Sequence, residues 1–331
     1  MKKLLYSLFA LVTLLTAASC DKREQNILFP PGISENVSEI AKKEGLNIFA
    51  AAIVAAEMDT AFKYLGQFTM FAPTDAAFTA AGITTATLGT INKAVLRNIL
   101  RNHILPGRTP SFSFLPGPGA AYGNINRDFI YTSGYFAPQP TQFLGSFFNG
   151  KKIVKADIIA NNGILHSING IMIPATGNLS TTLTADPNLS YLLAAIARAG
   201  LTSALDNLTA AVTLFAPNNQ AFINAGFPTI ASINAASPTV LSNIIRQHAI
   251  SAAPAYGGRI FSSDVRTGMS FPALNGGLLT TAVSGTGTVS VKAPGNTANN
   301  PTVITADIMF RSLIASGAPS VMHIINEVLL P

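Results

Sequence analysis

Tryptophan is absent from this chain, and cysteine occurs once, at Cys20. A single thiol cannot close an internal disulfide, so the fold must rest on packing and hydrogen bonds. Charge is also scarce: Asp, Glu, Lys and Arg make up 11% of the 331 residues, where soluble domains usually carry roughly 25%. The net charge is +6, but the cations are scattered, with no run longer than pairs such as Lys42-Lys43 and Lys151-Lys152. A nucleic-acid groove needs clustered Lys and Arg, so nucleic acid is excluded as a partner. Of the four histidines, none stands in a His-x-x-x-His or His-Glu-x-x-His spacing, and no Gly-x-Ser-x-Gly elbow occurs. Those gaps argue against a metal centre and against a nucleophile on a strand-turn-helix joint. The expectation is a chain with no catalytic residue, no metal and no cofactor. A hydrolase using one histidine ranks last among the readings.

Only one long apolar run is present, Leu4 to Leu15, and it sits at the N-terminus behind Lys2-Lys3. It is too short to span a bilayer and reads as the core of a secretory signal. Thr16-Ala17-Ala18-Ser19 then places small residues before Cys20. This arrangement resembles a lipobox, in which cleavage precedes the cysteine and its thiol takes a diacylglycerol. The reading assigns residues 1–19 to a signal peptide, Cys20 to lipidation and 20–33 to a lipidated linker. The mature chain is then anchored to a membrane rather than through it.

What fills the rest is an internal repeat. Phe68-Thr-Met-Phe-Ala-Pro-Thr-Asp-Ala-Ala-Phe78 recurs as Val212-Thr-Leu-Phe-Ala-Pro-Asn-Asn-Gln-Ala-Phe222. Leu96-Arg-Asn-Ile-Leu-Arg-Asn-His103 recurs as Leu241-Ser-Asn-Ile-Ile-Arg-Gln-His248, and Ala156-Asp157-Ile158 as Ala306-Asp307-Ile308. Gly163-Ile-Leu-His166 to Pro174 recurs as Ser320-Val-Met-His323 to Pro331, so all four histidines fall at matched positions. Within each copy, helical spacing comes first, as in Leu189, Leu192, Leu193 and Ile196. Short alternating strands follow, including a hairpin expected between Leu278–Val283 and Val289–Lys292. Helices followed by strands imply an α+β unit. The Ala-Pro pairs should end their strands, with Thr74/Asp75 and Asn218/Asn219 opening the next helix.

Thr-x-Phe-Ala-Pro, Leu-x-x-x-x-x-x-His and His-x-Ile-Asn, in this order and twice over, resemble the fasciclin (FAS1) domain family. The resemblance covers residues 34–175 and 184–331, with 176–183 as linker, and implies two β-sheet wedges capped by N-terminal helices. It also implies a non-catalytic adhesion or binding module making protein or glycan contacts, fixed on the bacterial cell envelope by its lipid, on the surface or periplasmic face. An accessory role in outer-membrane glycan uptake or assembly is the alternative. In animal members, a Tyr-His pair and an Asp-Ile pair have been linked to integrin adhesion. Here Asn102 and Gln247 stand where the Tyr would be.

His103, His166, His248 and His323 lie among apolar neighbours, and with Asp157 and Asp307 they are expected to hydrogen-bond within the fold rather than perform chemistry. Residues 110–150 hold ten of the 27 aromatics, among them Phe112, Phe114, Tyr122, Tyr131, Tyr135 and Phe136. Such density suits either core and domain–domain packing or an exposed interaction surface.

Overall fold

The computed structural model describes residues 32–64, 67–115, 117–133, 146–175, 177–251, 256–297, 300–313 and 319–331. The expected signal peptide, Cys20, Tyr135 and Phe136 lie outside the described residues.

The first unit begins with helices α1 (Val37–Lys43), α2 (Asn47–Ala55) and α3 (Asp59–Tyr64). Strand β1 (Phe68–Pro73), α4 (Asp75–Ala80) and α5 (Lys93–Asn102) follow, then β2 (Ile104–Pro106), β3 (Ala121–Gly123) and β4 (Phe129–Ser133). The unit closes with β5 (Phe147–Phe148), β6 (Lys151–Ala160) and β7 (Gly163–Ile168). The second unit repeats this plan with α6 (Leu179–Thr184), α7 (Ser190–Arg198), α8 (Thr202–Asp206), β8 (Thr213–Pro217), α9 (Asn219–Asn224), α10 (Ile230–Ala235) and α11 (Pro238–Gln247). Its strands are β9 (Ala249–Ile250), β10 (Ser270–Pro272), β11 (Leu278–Val283), β12 (Val289–Lys292), β13 (Val303–Phe310) and β14 (Ser320–Ile325).

In the first unit the strands run in the order β2-β1-β7-β6-β5-β4-β3. The second keeps that order in two pieces, β9-β8-β14-β13 and β12-β11-β10. The pieces touch through the Ser290–Thr302 bridge. In both units the first strand runs parallel to the last and antiparallel to its other neighbour. Period-2 alternation explains how one strand serves two cores. Met70 faces the helices with Phe49, Ile53 and Leu96. Its neighbour Phe71 faces the strand-rich half with Phe114, Ile130 and Phe148. Leu214 and Phe215 divide in the same way in the second unit. A central strand covered on both faces should be apolar throughout, and β7 and β14 are buried at every position.

The Ala-Pro joint does more than end a strand. Thr74 and Asn218 cap α4 and α9 through the amides of Ala77 and Ala221, at 3.2 and 2.8 Å. The next residue reaches across to a different helix: Asp75 accepts from the Ile48 amide at 2.8 Å, and Asn219 from the Tyr191 amide at 2.9 Å. Helices α2 and α7 have leucine at their own N-cap and no side-chain cap there. Each borrows its cap from the strand joint, which fixes the helical layer on the sheet.

Residues 176–183 are not a linker in full. Leu179–Thr184 is a helix whose Leu179 and Leu183 belong to the second core. Asn178 caps it, and Asp206 accepts from both the amide and the hydroxyl of Ser180. Leucines four apart put one apolar stripe on a segment whose Ser and Thr content reads as linker. The two units also pack on each other, through a cluster of Tyr131 and Ala175 with Phe261, Met309 and Val321.

Removing a cap costs about 1 kcal/mol. Asp75→Ala is therefore expected to lower the urea midpoint of the first unit, and more than Asn219→Ala lowers that of the second. The reason is that a carboxylate also interacts favourably with the positive end of α2. An unchanged midpoint for Asp75→Ala would show that the borrowed cap holds nothing.

Candidate functional site

All four imidazoles are buried, and each uses both ring nitrogens on the main chain. His103 and His248 end α5 and α11. Their Nδ1 atoms face the carbonyls of Ile99 and Ile244 at 2.8 Å in both cases. Their Nε2 atoms accept from the amides of Met172 and Leu329 at 2.9 and 2.8 Å. An amide can only donate, so Nε2 is bare and Nδ1 carries the proton. These two rings tie the helical layer to the C-terminal segment of each unit.

His166 and His323 carry the opposite tautomer. Their Nδ1 atoms accept from the amides of Asp157 and Asp307 at 3.2 and 3.3 Å. Their Nε2–H groups donate to the carbonyls of Thr109 and Ile260 at 3.0 and 2.8 Å. The Asp amides are free for this because β6 and β13 leave register just before them. Asp157 and Asp307 adopt left-handed φ angles of 55° and 64° there. Asp tolerates that conformation better than most residues.

The carboxylate then points to a short turn. Asp157 accepts from the Ser111 amide at 2.8 Å and from its hydroxyl at 2.5 Å. Asp307 accepts from the amide and hydroxyl of Ser262, at 2.7 Å in both cases. Ser, His and Asp thus meet in each unit, but in the wrong order for a nucleophilic triad. There the His stands between Ser and Asp, whereas here the Ser hydroxyl is spent on the carboxylate and His Nδ1 is an acceptor.

The two Asp sites differ in one respect. The Asp157 side chain is 33% exposed and that of Asp307 is 2% exposed. Lys151 of the first unit, its Nζ 3.4 Å from Asp307 Oδ2, covers the second site. Around it, the Arg259 guanidinium lies 4.1 Å above the Tyr131 ring. Arg311 pairs with Asp128 and donates to the Ala175 carbonyl at 2.9 Å.

The aromatic-rich region divides between the two roles open to it. Phe114 is core, against Phe71, Phe148 and His166. Tyr122 is half-buried edge-on to Phe114, and Tyr131 is domain–domain packing. Phe112 is 45% exposed. Sequence reading missed Ser111, Ser262, Arg259 and Lys151. A signal for three of them was present: Gly107-Arg108 and Ser111 recur as Gly258-Arg259 and Ser262 at one offset.

Burial holds His103 and His248 down at about 4, against the carbonyl bonds, which favour the charged ring. His166 and His323 are lowered by burial as well, with the Asp beside each pulling the other way. The unfolded chain takes up these protons near pH 6.5 and the folded chain does not. Stability is therefore full above about pH 6.5 and falls as pH drops towards 4, by up to ~3 kcal/mol per ring for His103 and His248. Urea unfolding between pH 7 and pH 4 measures this, and His103→Gln should flatten the slope. A stability independent of pH in that window would contradict it.

A family profile for the fasciclin domain matches residues 44–174 and 187–331. Transforming growth factor-beta-induced protein ig-h3 of Oryctolagus cuniculus is 28% identical over 222 residues, which is 66% of this chain and 30% of that protein. Human periostin is 30% identical over 186 residues, 55% of this chain and 21% of its own length. The chain thus spans less than a third of these animal relatives. Protein sll1483 of Synechocystis is 30% identical over 140 residues, 42% of this chain and 72% of that protein. A solved FAS1 domain pair from the insect cell adhesion molecule Fasciclin I aligns with 88% of this chain and 98% of its own at 16% identity, with a TM-score of 0.39. With both repeats matched by the family profile, the chain belongs to the fasciclin domain family as a tandem pair.

Proposed function

We propose that this chain is an adhesion lipoprotein of the bacterial cell envelope, held to the membrane by a lipid on Cys20, that makes protein contacts through its first fasciclin domain. Family membership supports the non-catalytic adhesion or binding role. The observation that carries the choice of face is the turn anchored by Ser111 to Asp157. On that turn and just after it, Phe112 and Leu115 are 45% and 62% exposed, next to a carboxylate one-third open. An exposed pair of large apolar side chains beside an acidic group has the chemistry of a protein contact, apolar centre and polar rim. Among the described residues no helix is long and apolar enough to cross a membrane.

The anchor is tested by Cys20→Ala. The variant should leave the membrane fraction or persist as an unprocessed precursor. Normal cleavage with unchanged fractionation would remove the lipid from the reading. The face is tested by Phe112→Ser with Leu115→Ser on cells that display the protein, applied to protein-coated and glycan-coated surfaces. Adhesion to protein should fall about tenfold at an unchanged melting temperature. Undiminished adhesion, or adhesion confined to glycan coats, would overturn this choice of face or partner.

A further inference from the structure

The two fasciclin domains carry one acidic site each, built alike from an Asp in a left-handed bulge and a Ser that donates twice to it. Their difference in exposure, 33% against 2%, therefore comes from outside the site. At Asp307 the cover is the first domain. The Lys151 ammonium sits 3.4 Å from Oδ2. The main chain at Gly150 comes so close that a Cβ there would lie 2.1 Å from the same oxygen, at a φ of 78° that itself favours glycine. Arg311 and Arg259 close the rim on Asp128 and Tyr131, and Phe261 and Met309 pack beneath.

We infer that this junction is a latch. Docked, it withdraws the Asp307 face, and the chain presents a single acidic face, at Asp157; undocked, it presents two. The inference rests on the reading of the Asp157 face as a contact surface. The junction also displays what such a face accepts: an ammonium on the carboxylate. A partner protein offering a lysine in that setting competes with Lys151 for Asp307 and so favours the open form. Lys151 is the element to remove, because a carboxylate left buried without its cation is strongly unfavourable and escapes by opening to water.

Carboxyl footprinting of the whole mature chain reads the two faces directly, using a carbodiimide with an amine probe and mass spectrometry of Asp157 and Asp307. In the unaltered protein Asp307 should label about tenfold more slowly than Asp157. Lys151→Met should bring Asp307 close to the Asp157 rate and enlarge the radius of gyration by small-angle scattering, while Lys151→Arg and Lys152→Met leave both as they were. Tyr131→Ala removes the apolar side of the latch and should open it independently, so a folding defect in one variant does not decide the matter. Equal labelling of the two Asp residues in the unaltered protein, or a closed junction in both Lys151→Met and Tyr131→Ala, would overturn the latch. If instead the junction opens as stated but the Phe112/Leu115 variant adheres normally, the latch stands and the assignment of the contact face fails.

Discussion

The amide of a bulged aspartate donating to a buried, neutral histidine is the bond on which each domain turns. It joins three segments at once. The ring sits on the central strand, its Nδ1 takes the Asp amide from the neighbouring strand, and its Nε2–H holds a carbonyl in the loop ahead of the serine turn. Only one protonation state fits. A charged imidazolium would aim a second N–H at the Asp amide, two donors face to face in a dry interior. Burial, lowered proton affinity and the bulge are therefore a single constraint seen from three sides. The same bulge aims the carboxylate outward, so the acidic face exists because the interior needs the amide.

Much of this was legible in the repeat, since it singled out the right histidines and aspartates, and their apolar neighbours placed them indoors. What the repeat could not give was their partners, because ring nitrogens bonded to Ile99, Met172 or Thr109 main chain leave no side-chain signature at those positions. The helix Leu179–Thr184 was hidden by composition, its two leucines outvoted by Ser and Thr. The aromatic stretch could not be assigned as a block for a geometric reason. Phe112 lies within the three-residue 3₁₀ turn and Phe114 caps it. Two residues apart on so tight a turn do not share a face, and one is 45% exposed while the other is 4%.

The junction escaped sequence reading for the opposite reason: apart from Asp307 and Arg259, it is made largely of residues that the two copies do not share. Strand register matches Phe129 with Leu278, hence Tyr131 with Thr280 and Asp128 with Gly277. On the other side, Phe261 and Arg311 correspond to Pro110 and Asn161. A search for similarity between copies passes over each of these positions.

That division has an energetic logic. Changing a member of the histidine joint strands a buried donor or acceptor, at about 1–3 kcal/mol, so both copies hold it. Substitutions on an exposed face usually cost within about 0.5 kcal/mol, so the outer faces were free to part. Their parting also makes the junction one-sided. The docking edge of the first domain meets a different face of the second, a heterologous contact, and such contacts repeat into filaments when every unit carries both faces. Here Thr280 and Gly277 occupy the places of Tyr131 and Asp128, so the second domain does not repeat the docking residues of the first at these positions. The same asymmetry leaves the Asp157 carboxylate one-third exposed, while its counterpart Asp307 is covered by the first domain.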